Sequence, residues 1–239
     1  MTATVHAHHA VQVCLGLSGP VRLRAGPDAR WGDYEGAVIP SNQPHETDVP
    51  AALLATFWLE PDTDEAQRLA PRPQLPILPV DRSKLGEIVP RFVACWRARS
   101  DAQRAAAVLD EVVQILAPTE CREPVLDSRV SRAREILHSA PDRRVPIADV
   151  AARVSLSPSR LAHLVRAEMG MPARRYLLWL RLRDAVGELT RGASITEAAH
   201  AAGFADAAHL SRTFRRMLGF TPSTALRVSK FVQDMPAGR

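Results

Sequence analysis

Apolar residues change their spacing along this 239-residue chain, and each change predicts a different kind of structure. From His6 to about Glu60 they come in short runs with period-two character, such as Val11-Gln-Val-Cys-Leu-Gly-Leu17, Val21-Arg-Leu23 and Ala52-Leu-Leu-Ala-Thr-Phe-Trp58. Gly16, Gly19-Pro20, Gly26-Pro27, Gly32 and Pro40 punctuate these runs, which predicts a small antiparallel sheet or barrel over residues 1–60. After Pro61 the spacing turns helical. A short segment from Asp62 to Ala70 and a connection rich in proline (Pro71, Pro73, Pro76, Pro79) lead to Leu85, Ile88, Val89, Phe92, Val93 and Trp96, then to Ala102–Leu116. Pro90 lies inside that stripe and predicts a kink or break. Residues 61–118 therefore read as a helical connector, with apolar faces available to the barrel or to a second subunit. Ala117-Pro118 to Pro124 marks a linker, placed at 119–126, ahead of a helical region over 127–235.

Within that last region one pattern occurs twice. Ile147-Ala-Asp-Val-Ala-Ala-Arg-Val154 is followed by Ser157, Leu161, Val165, Arg166 and Gly170; Ile195-Thr-Glu-Ala-Ala-His-Ala-Ala202 is followed by Asp206, Leu210, Phe214, Arg215 and Gly219. The register slips by one residue because Gly203-Phe204 enlarges the second turn. Each copy predicts a short helix, a tight turn and a longer helix opening on a good N-cap, Ser157 or Asp206. That is the outline of a helix-turn-helix, over 147–169 and again over 195–218. Between the copies, Pro172 introduces about twenty residues to Gly192 with Tyr176, Trp179, Leu180 and Leu189 available for burial. A helix of that size spans roughly 30 Å, near the 34 Å of one turn of B-DNA.

Charge sharpens the picture. Residues 127–239 hold 19 Lys and Arg against 10 Asp and Glu, while residues 1–126 hold 12 against 16, so the total of +5 conceals a basic half carrying the repeat and an acidic half without it. A polyanion is the natural partner of such a surface, because phosphate binding releases counterions; the bland alternative is a solvated arginine-rich face. On the longer helix of the first copy, burial of Leu161, Leu164 and Val165 leaves Ser159, Arg160, His163 and Arg166 open. The register transfers these to Ala208, His209, Arg212 and Arg215, with Ala162 becoming Ser211. Ala207 and Ala208 offer only methyl contacts, so the second face is the poorer reader of bases. Arg166, Arg215 and Arg216 are assigned to phosphate. Cys14, Cys95 and Cys121 form no CxxC pair, which argues for a reducing cytoplasm and against a thiolate zinc site. Neither a leader pattern nor a membrane-spanning run is apparent, and no membrane partner is expected.

The segment Ile195 to Pro222, with Ala198-Ala199, Gly203-Phe204, Phe214-Arg215 and Gly219-Phe-Thr-Pro222, resembles the signature of the AraC/XylS family of bacterial transcription regulators over roughly residues 127–232. The resemblance implies a seven-helix domain with two helix-turn-helix units joined by one long helix, binding of an asymmetric site in double-stranded DNA, and control of RNA polymerase recruitment. By position it carries base contacts onto Ser159, Ala162 and His163 in the first unit and onto Ala207, Ala208, Ser211 and Arg212 in the second.

In the N-terminal half, His6-Ala-His8 with Gln12, and Pro40-Ser-Asn-Gln-Pro-His45, resemble the two half-motifs of a cupin barrel, which many proteins of this family use as a sensor. Metal-binding cupins carry a Glu where Gln12 stands, and an amide is the poorer ligand. His6, His8 and His45 are the candidates should a divalent metal bind, but none is assigned. The expected role of the barrel is an effector pocket closed by Trp31, Tyr34 and Trp58. The fold class is therefore α+β: a small cupin-like barrel, a helical connector that dimerises if it does not pack on the barrel, and an all-α DNA-binding domain. The functional expectation is a regulator controlled by a small molecule and not an enzyme. Two alternatives are a ligand-independent regulator whose barrel only dimerises, and a metal-dependent cupin oxygenase or isomerase, which Gln12 and the lack of an obvious general base disfavour.

Overall fold

The computed structural model describes residues 2–48, 53–61, 63–69, 75–97, 102–116, 127–140, 143 and 145–228. They fall into two compact units, one formed by Met1–Glu123 with Arg215–Arg239 and the other by Pro124–Phe214. The whole of the linker expected at 119–126, and Cys121 with it, lies outside the described residues.

Among the described residues of the first unit, eight short strands build two antiparallel four-stranded sheets. They are β1 (Thr2–His6), β2 (Val11–Gly16), β3 (Val21–Arg24), β4 (Gly32–Tyr34), β5 (Gly36–Ile39), β6 (His45–Asp48), β7 (Leu54–Leu59) and β8 (Leu78–Pro79). One sheet has the order β1-β6-β3-β4 and the other β7-β2-β5-β8. Val21 and Leu23 from the first sheet and Cys14, Ala37 and Ile39 from the second share one buried cluster, so the sheets face each other across it. The sheet thus continues beyond residue 60: β8 pairs Ala37 with Pro79 and Val38 with Leu78 inside the segment expected to be connector. A two-residue edge strand ending on a proline has no alternation to reveal it, and proline is tolerated at an edge because it need not donate there.

Strand β2 is buried at all six positions. The reason is its second face. Val11, Val13 and Leu15 turn away from the inter-sheet cluster and pack, with Phe57, against Leu85, Ile88, Val89 and Phe92 and against Val108, Leu109, Val112 and Val113. Those partners come from a 3₁₀ turn and from helices α2 (Ile88–Arg97) and α3 (Ala102–Leu116), which follow the short α1 (Asp64–Leu69). The apolar stripe that the sequence left open to a second subunit is therefore covered by the sheet of its own chain. The stripe is broken just ahead of Pro90, between the 3₁₀ turn that ends at Leu85 and the start of α2 at Ile88. Pro90 is the third residue of α2, in the first turn, where a missing N–H leaves no intrahelical bond unmade.

The second unit is helical: α4 (Ser128–Ser139), α5 (Ile147–Arg153), α6 (Pro158–Met169), α7 (Ala173–Thr190), α8 (Ile195–Ala201) and the start of α9 (Ala207–Leu218); α10 (Pro222–Val228) follows. Helix α7 has 18 residues, about 27 Å of rise. It is the axis of the unit, burying Tyr176, Trp179, Leu180, Leu182, Ala185 and Leu189. Pro172 stands one residue before it rather than within its first turn. Asp184 on α7 forms a two-pronged ion pair with Arg143, 2.8 and 3.3 Å, while Arg181 donates to the Arg143 carbonyl at 2.7 Å, holding Arg143 to α7.

Candidate functional site

The two copies of the repeat fold alike, residue for residue, through the turn. In the first, the N–H of Leu156 donates to the carbonyl of Ala151 at 2.9 Å; in the second, Phe204 donates to Ala199 at 2.8 Å. The residue just before each donor, Ser155 or Gly203, takes a positive φ, 55° and 76°. The extra residue of the second copy therefore follows Phe204 and is Ala205. Ser157 caps α6 by accepting from the N–H of Arg160 at 3.2 Å, and Asp206 caps α9 by accepting from that of His209 at 2.6 Å. A capping box opens α8: Ser194 Oγ accepts from the Glu197 N–H at 3.2 Å, and the Glu197 carboxylate accepts from the Ser194 N–H at 2.8 Å.

These turns hold the longer helices by their apolar sides. Leu161 and Val165 anchor α6, and Leu210 and Phe214 anchor α9. On α6 this leaves Ser159, Arg160, Ala162, His163 and Arg166 exposed together. On α9 it leaves Ala208, Arg212, Arg215 and Arg216 exposed, with Ala207, His209 and Ser211 partly covered. The second face is narrower than its sequence suggests. Ser211 Oγ donates to the Ala207 carbonyl at 2.8 Å, and the His209 ring stands edge-on to the buried ring of Phe204, 5.2 Å between centroids. His209 thus braces the turn. Arg212, Arg215 and Arg216 remain as cations free to face an anion.

Residues 150–227 match the family model described as a helix-turn-helix domain. The chain is 36% identical over 107 residues to the arabinose operon regulatory protein of Salmonella typhimurium, a match spanning 44% of this chain and 38% of that one. It is 34% identical over 97 residues to a putative AraC-like transcription regulator of Streptomyces lividans, spanning 40% and 32%. Both alignments therefore cover well under half of the relative's own length. Residues 150–227 are thus similar to regulators of the AraC type. Over nearly the whole chain, the fold is similar to that of unsaturated fatty acid bound ToxT from Vibrio cholerae, with a TM-score of 0.59, 13% identity and coverage of 98% of this chain and 92% of that one.

Outside the AraC-type region, the structure gathers some of the expected N-terminal residues and separates others. Trp31 lies under the guanidinium carbons of Arg22 and Arg24, 5.4 and 4.8 Å from its ring centroid. Those arginines alternate along β3 with the buried Val21 and Leu23, so Trp31 is on the outer side of the sheet. Tyr34 instead packs against the inter-sheet cluster, and the Trp58 indole donates to Gln12 Oε1 at 3.2 Å. The three aromatics assigned to one pocket do not share a face.

His6, His8 and His45 do come together. One ring nitrogen from each lies within 4.8 Å of the others, and all three residues are buried. His6 and His45 are register partners at the end of the β1–β6 ladder, with ring centroids 4.1 Å apart. Burial lowers the basicity of all three: His8 falls to about 4, His45 lies well below its ordinary value, and His6 is lowered too. A hydrogen-bonded run extends inward from His8. Its Nε2 is 2.7 Å from Gln12 Oε1, the Gln12 amide donates to Cys14 Sγ at 2.8 Å, and Thr56 Oγ1 is 4.0 Å from that sulfur. Burial pushes the Cys14 thiol up to about 11, so it stays protonated. Cys14 and Thr56 were not singled out from sequence, although polar residues at 12 and 14 alternating with Val11, Val13 and Leu15 are the period-two sign of a strand with one polar-lined face.

Proposed function

We propose that the chain is a sequence-specific DNA-binding transcription regulator whose paired helix-turn-helix units read DNA unequally. The observation that carries this reading is the pair of like-built turns that bury Leu161 and Val165, or Leu210 and Phe214, and turn a basic face outward. On α6, Ser159, Arg160, Ala162 and His163 contact base edges and Arg166 contacts phosphate. On α9, Ala207, Ala208 and Ser211 supply close apolar and hydroxyl contact, Arg212 supplies the strongest base readout, and Arg215 and Arg216 hold phosphate. His209 serves the turn. RNA polymerase, recruited or blocked at the promoter, is the further partner implied by the family, and the setting is the cytoplasm. A homodimer, if formed, uses a surface other than the stripe covered by β2.

We further propose that a small molecule with an apolar body and one polar end binds between the two sheets, against Tyr34, Trp58, Gln12 and Thr56, and shifts the population of DNA-binding arrangements. Support comes from the likeness to a ToxT structure whose own ligand is an unsaturated fatty acid, and from the polar run within an otherwise apolar interior.

Binding to a selected pool of duplexes tests the first proposal. Arg212→Ala and His163→Ala should relax preference at one or two base pairs, each by about 1–3 kcal/mol. Arg166→Ala and Arg215→Ala should weaken binding to all sequences and reduce the salt slope by about 1. Unchanged binding in all four variants would remove the assigned faces. For the second proposal, DNA affinity is measured with and without a panel of medium-chain and long-chain fatty acids; indifference to the whole panel favours a regulator that acts without a ligand.

A further inference from the structure

The two copies of the repeat are attached to α7 in different ways. The second follows α7 through residues 191–194, a turn closed by its own backbone: the Gly192 N–H donates to the Leu189 carbonyl and the Ala193 N–H to that of Glu188, both at 3.1 Å. The first precedes α7 and is joined to it along the chain by Gly170-Met171-Pro172, with a positive φ of 68° at Gly170. That connection is a pivot. Helices α4, α5 and α6 turn on it as one body, because α4 packs on both of the others and the Asp127 N–H donates to the Glu168 carboxylate at 3.1 Å.

Apolar burial along α7 holds this body down but does not choose its angle, since burial has no direction. Hydrogen bonds to charged groups do have one. Near the pivot, His138 Nε2 shares a hydrogen bond with the hydroxyl of the fully buried Tyr176. Farther along, about 16 Å from Ala173 at the start of α7, Asp184 takes both prongs of the Arg143 guanidinium. Arg143 is held through its side chain and its backbone alike. Its Nη1 donates at 3.1 Å to the Leu137 carbonyl in the last turn of α4, and its own carbonyl accepts from Arg181 Nη2 at 2.7 Å. Its φ of 52° lies in the left-handed region, which a residue other than glycine keeps only where its surroundings over-determine it. With side chains 14% and 35% exposed, the Arg143–Asp184 pair is also partly shielded from the solvent that weakens surface ion pairs.

We propose that Asp184 is a positioning residue for DNA recognition: by gripping Arg143 it sets the angle of α4–α6 about the pivot, and with it the spacing of the two base-pair blocks that α6 and α9 accept, which rests on the reading of those two helices as the ones that enter the groove. The lever arm suits this role. A broken fork that admits one water gives about 3 Å of slack at about 16 Å from the pivot, a turn of about 10°. That turn carries the far end of α6, about 18 Å from Gly170, through about 3 Å, close to the rise of about 3.4 Å for one base-pair step. Ser159, Arg160 and His163 lie toward that far end.

The test uses the full chain and a duplex selected from a random pool, with one base pair inserted or deleted between the two blocks that selection defines. The wild-type chain should lose at least about tenfold in affinity on either change, the scale of a mismatched base pair. Asp184→Asn keeps an acceptor without the charge, and Arg143→Lys keeps the charge without the fork. Both should lose less than about threefold, with base preference inside each block unchanged. Asp184→Glu, which restores a carboxylate for the fork, should recover most of the penalty. A wild-type chain indifferent to spacing, folded variants that keep the full penalty, or variants weakened equally at every spacing with a lower melting temperature would overturn the proposal and leave the DNA reading standing. A wild-type chain that prefers no duplex over another removes the DNA reading and the proposal with it. Should Asp184→Asn fail to fold, Arg143→Lys decides by the same measure.

Discussion

Exchange of the residues at the two turns of the repeat should move stability in opposite directions. Ser155 and Gly203 occupy equivalent places, each one residue before the N–H that closes the turn, with φ of 55° and 76°. An L side chain in that region carries about 1–2 kcal/mol of strain that glycine does not. Introducing glycine also frees the unfolded chain, which offsets about 0.4–1 kcal/mol of the gain. Ser155→Gly should therefore stabilise the second unit by roughly 0.5–1 kcal/mol, and Gly203→Ala should destabilise it by a similar amount. For a chain of this size each kilocalorie shifts the melting temperature by about 2–4 °C. Calorimetric melts of the two variants and of the double exchange, read on the transition of the second unit, supply the measurement. Because the turns involve separate helices, the double variant should melt close to the wild type. Should both single changes shift stability the same way, the positive φ at Ser155 is not strain held by the turn and the equivalence of the two copies fails.

Other outcomes follow from the same structure. The Arg129 guanidinium and backbone N–H hold the Asp127 carboxyl down at about 2, so whatever this charge contributes to α4 is present above the ordinary carboxylate range and is lost as pH falls through about 2. Asp127→Asn keeps an N-cap acceptor but loses the charge. Its melting temperature should lie below that of the wild type at pH 7 and converge on it near pH 2. Leu161→Ala and Leu210→Ala should each cost about 2–5 kcal/mol and abolish DNA binding together with the near-ultraviolet circular dichroism of the fold, because each empties a fully buried position under a longer helix. Ser194→Ala removes half of the capping box and should cost about 1 kcal/mol, seen in thermal melts and in faster amide exchange at the start of α8.

The helical half was the more legible from sequence because its signals are local. Caps at Ser157 and Asp206, and buried positions three and four apart, determine helix ends without knowledge of what packs where, and α5, α6, α8 and α9 span the expected segments. Where a side chain's fate depends on a neighbour outside its own helix, the reading weakened. His209 stands in the register that the sequence offers to base contact, and its ring lies edge-on to that of Phe204. In the N-terminal half the decisive facts are non-local. Period two on β2 shows alternation but not which face meets the helices and which meets the other sheet, and Trp31 looks like a pocket aromatic until Arg22 and Arg24 are seen to cover it. Leu78–Pro79 becomes a strand only because the edge of β5 is there to receive it. The meeting of His6 with His45 depends on the pairing of β1 with β6, and the sequence pointed to it through the resemblance of the two half-motifs, not through any local spacing.

Strand β2, paired on both edges and covered on both faces, has a further consequence for how this chain can vary over time. Substitutions within it are repairable, since a neighbour of another size can compensate for a lost or added methyl. Insertion or deletion of a single residue is not. It would turn Gln12 and Cys14 toward α2 and α3 and drive Val11 and Val13 among the histidines, reversing both linings at once. Changes of length in related chains should therefore collect in the turns flanking β2 and be missing between Val11 and Gly16.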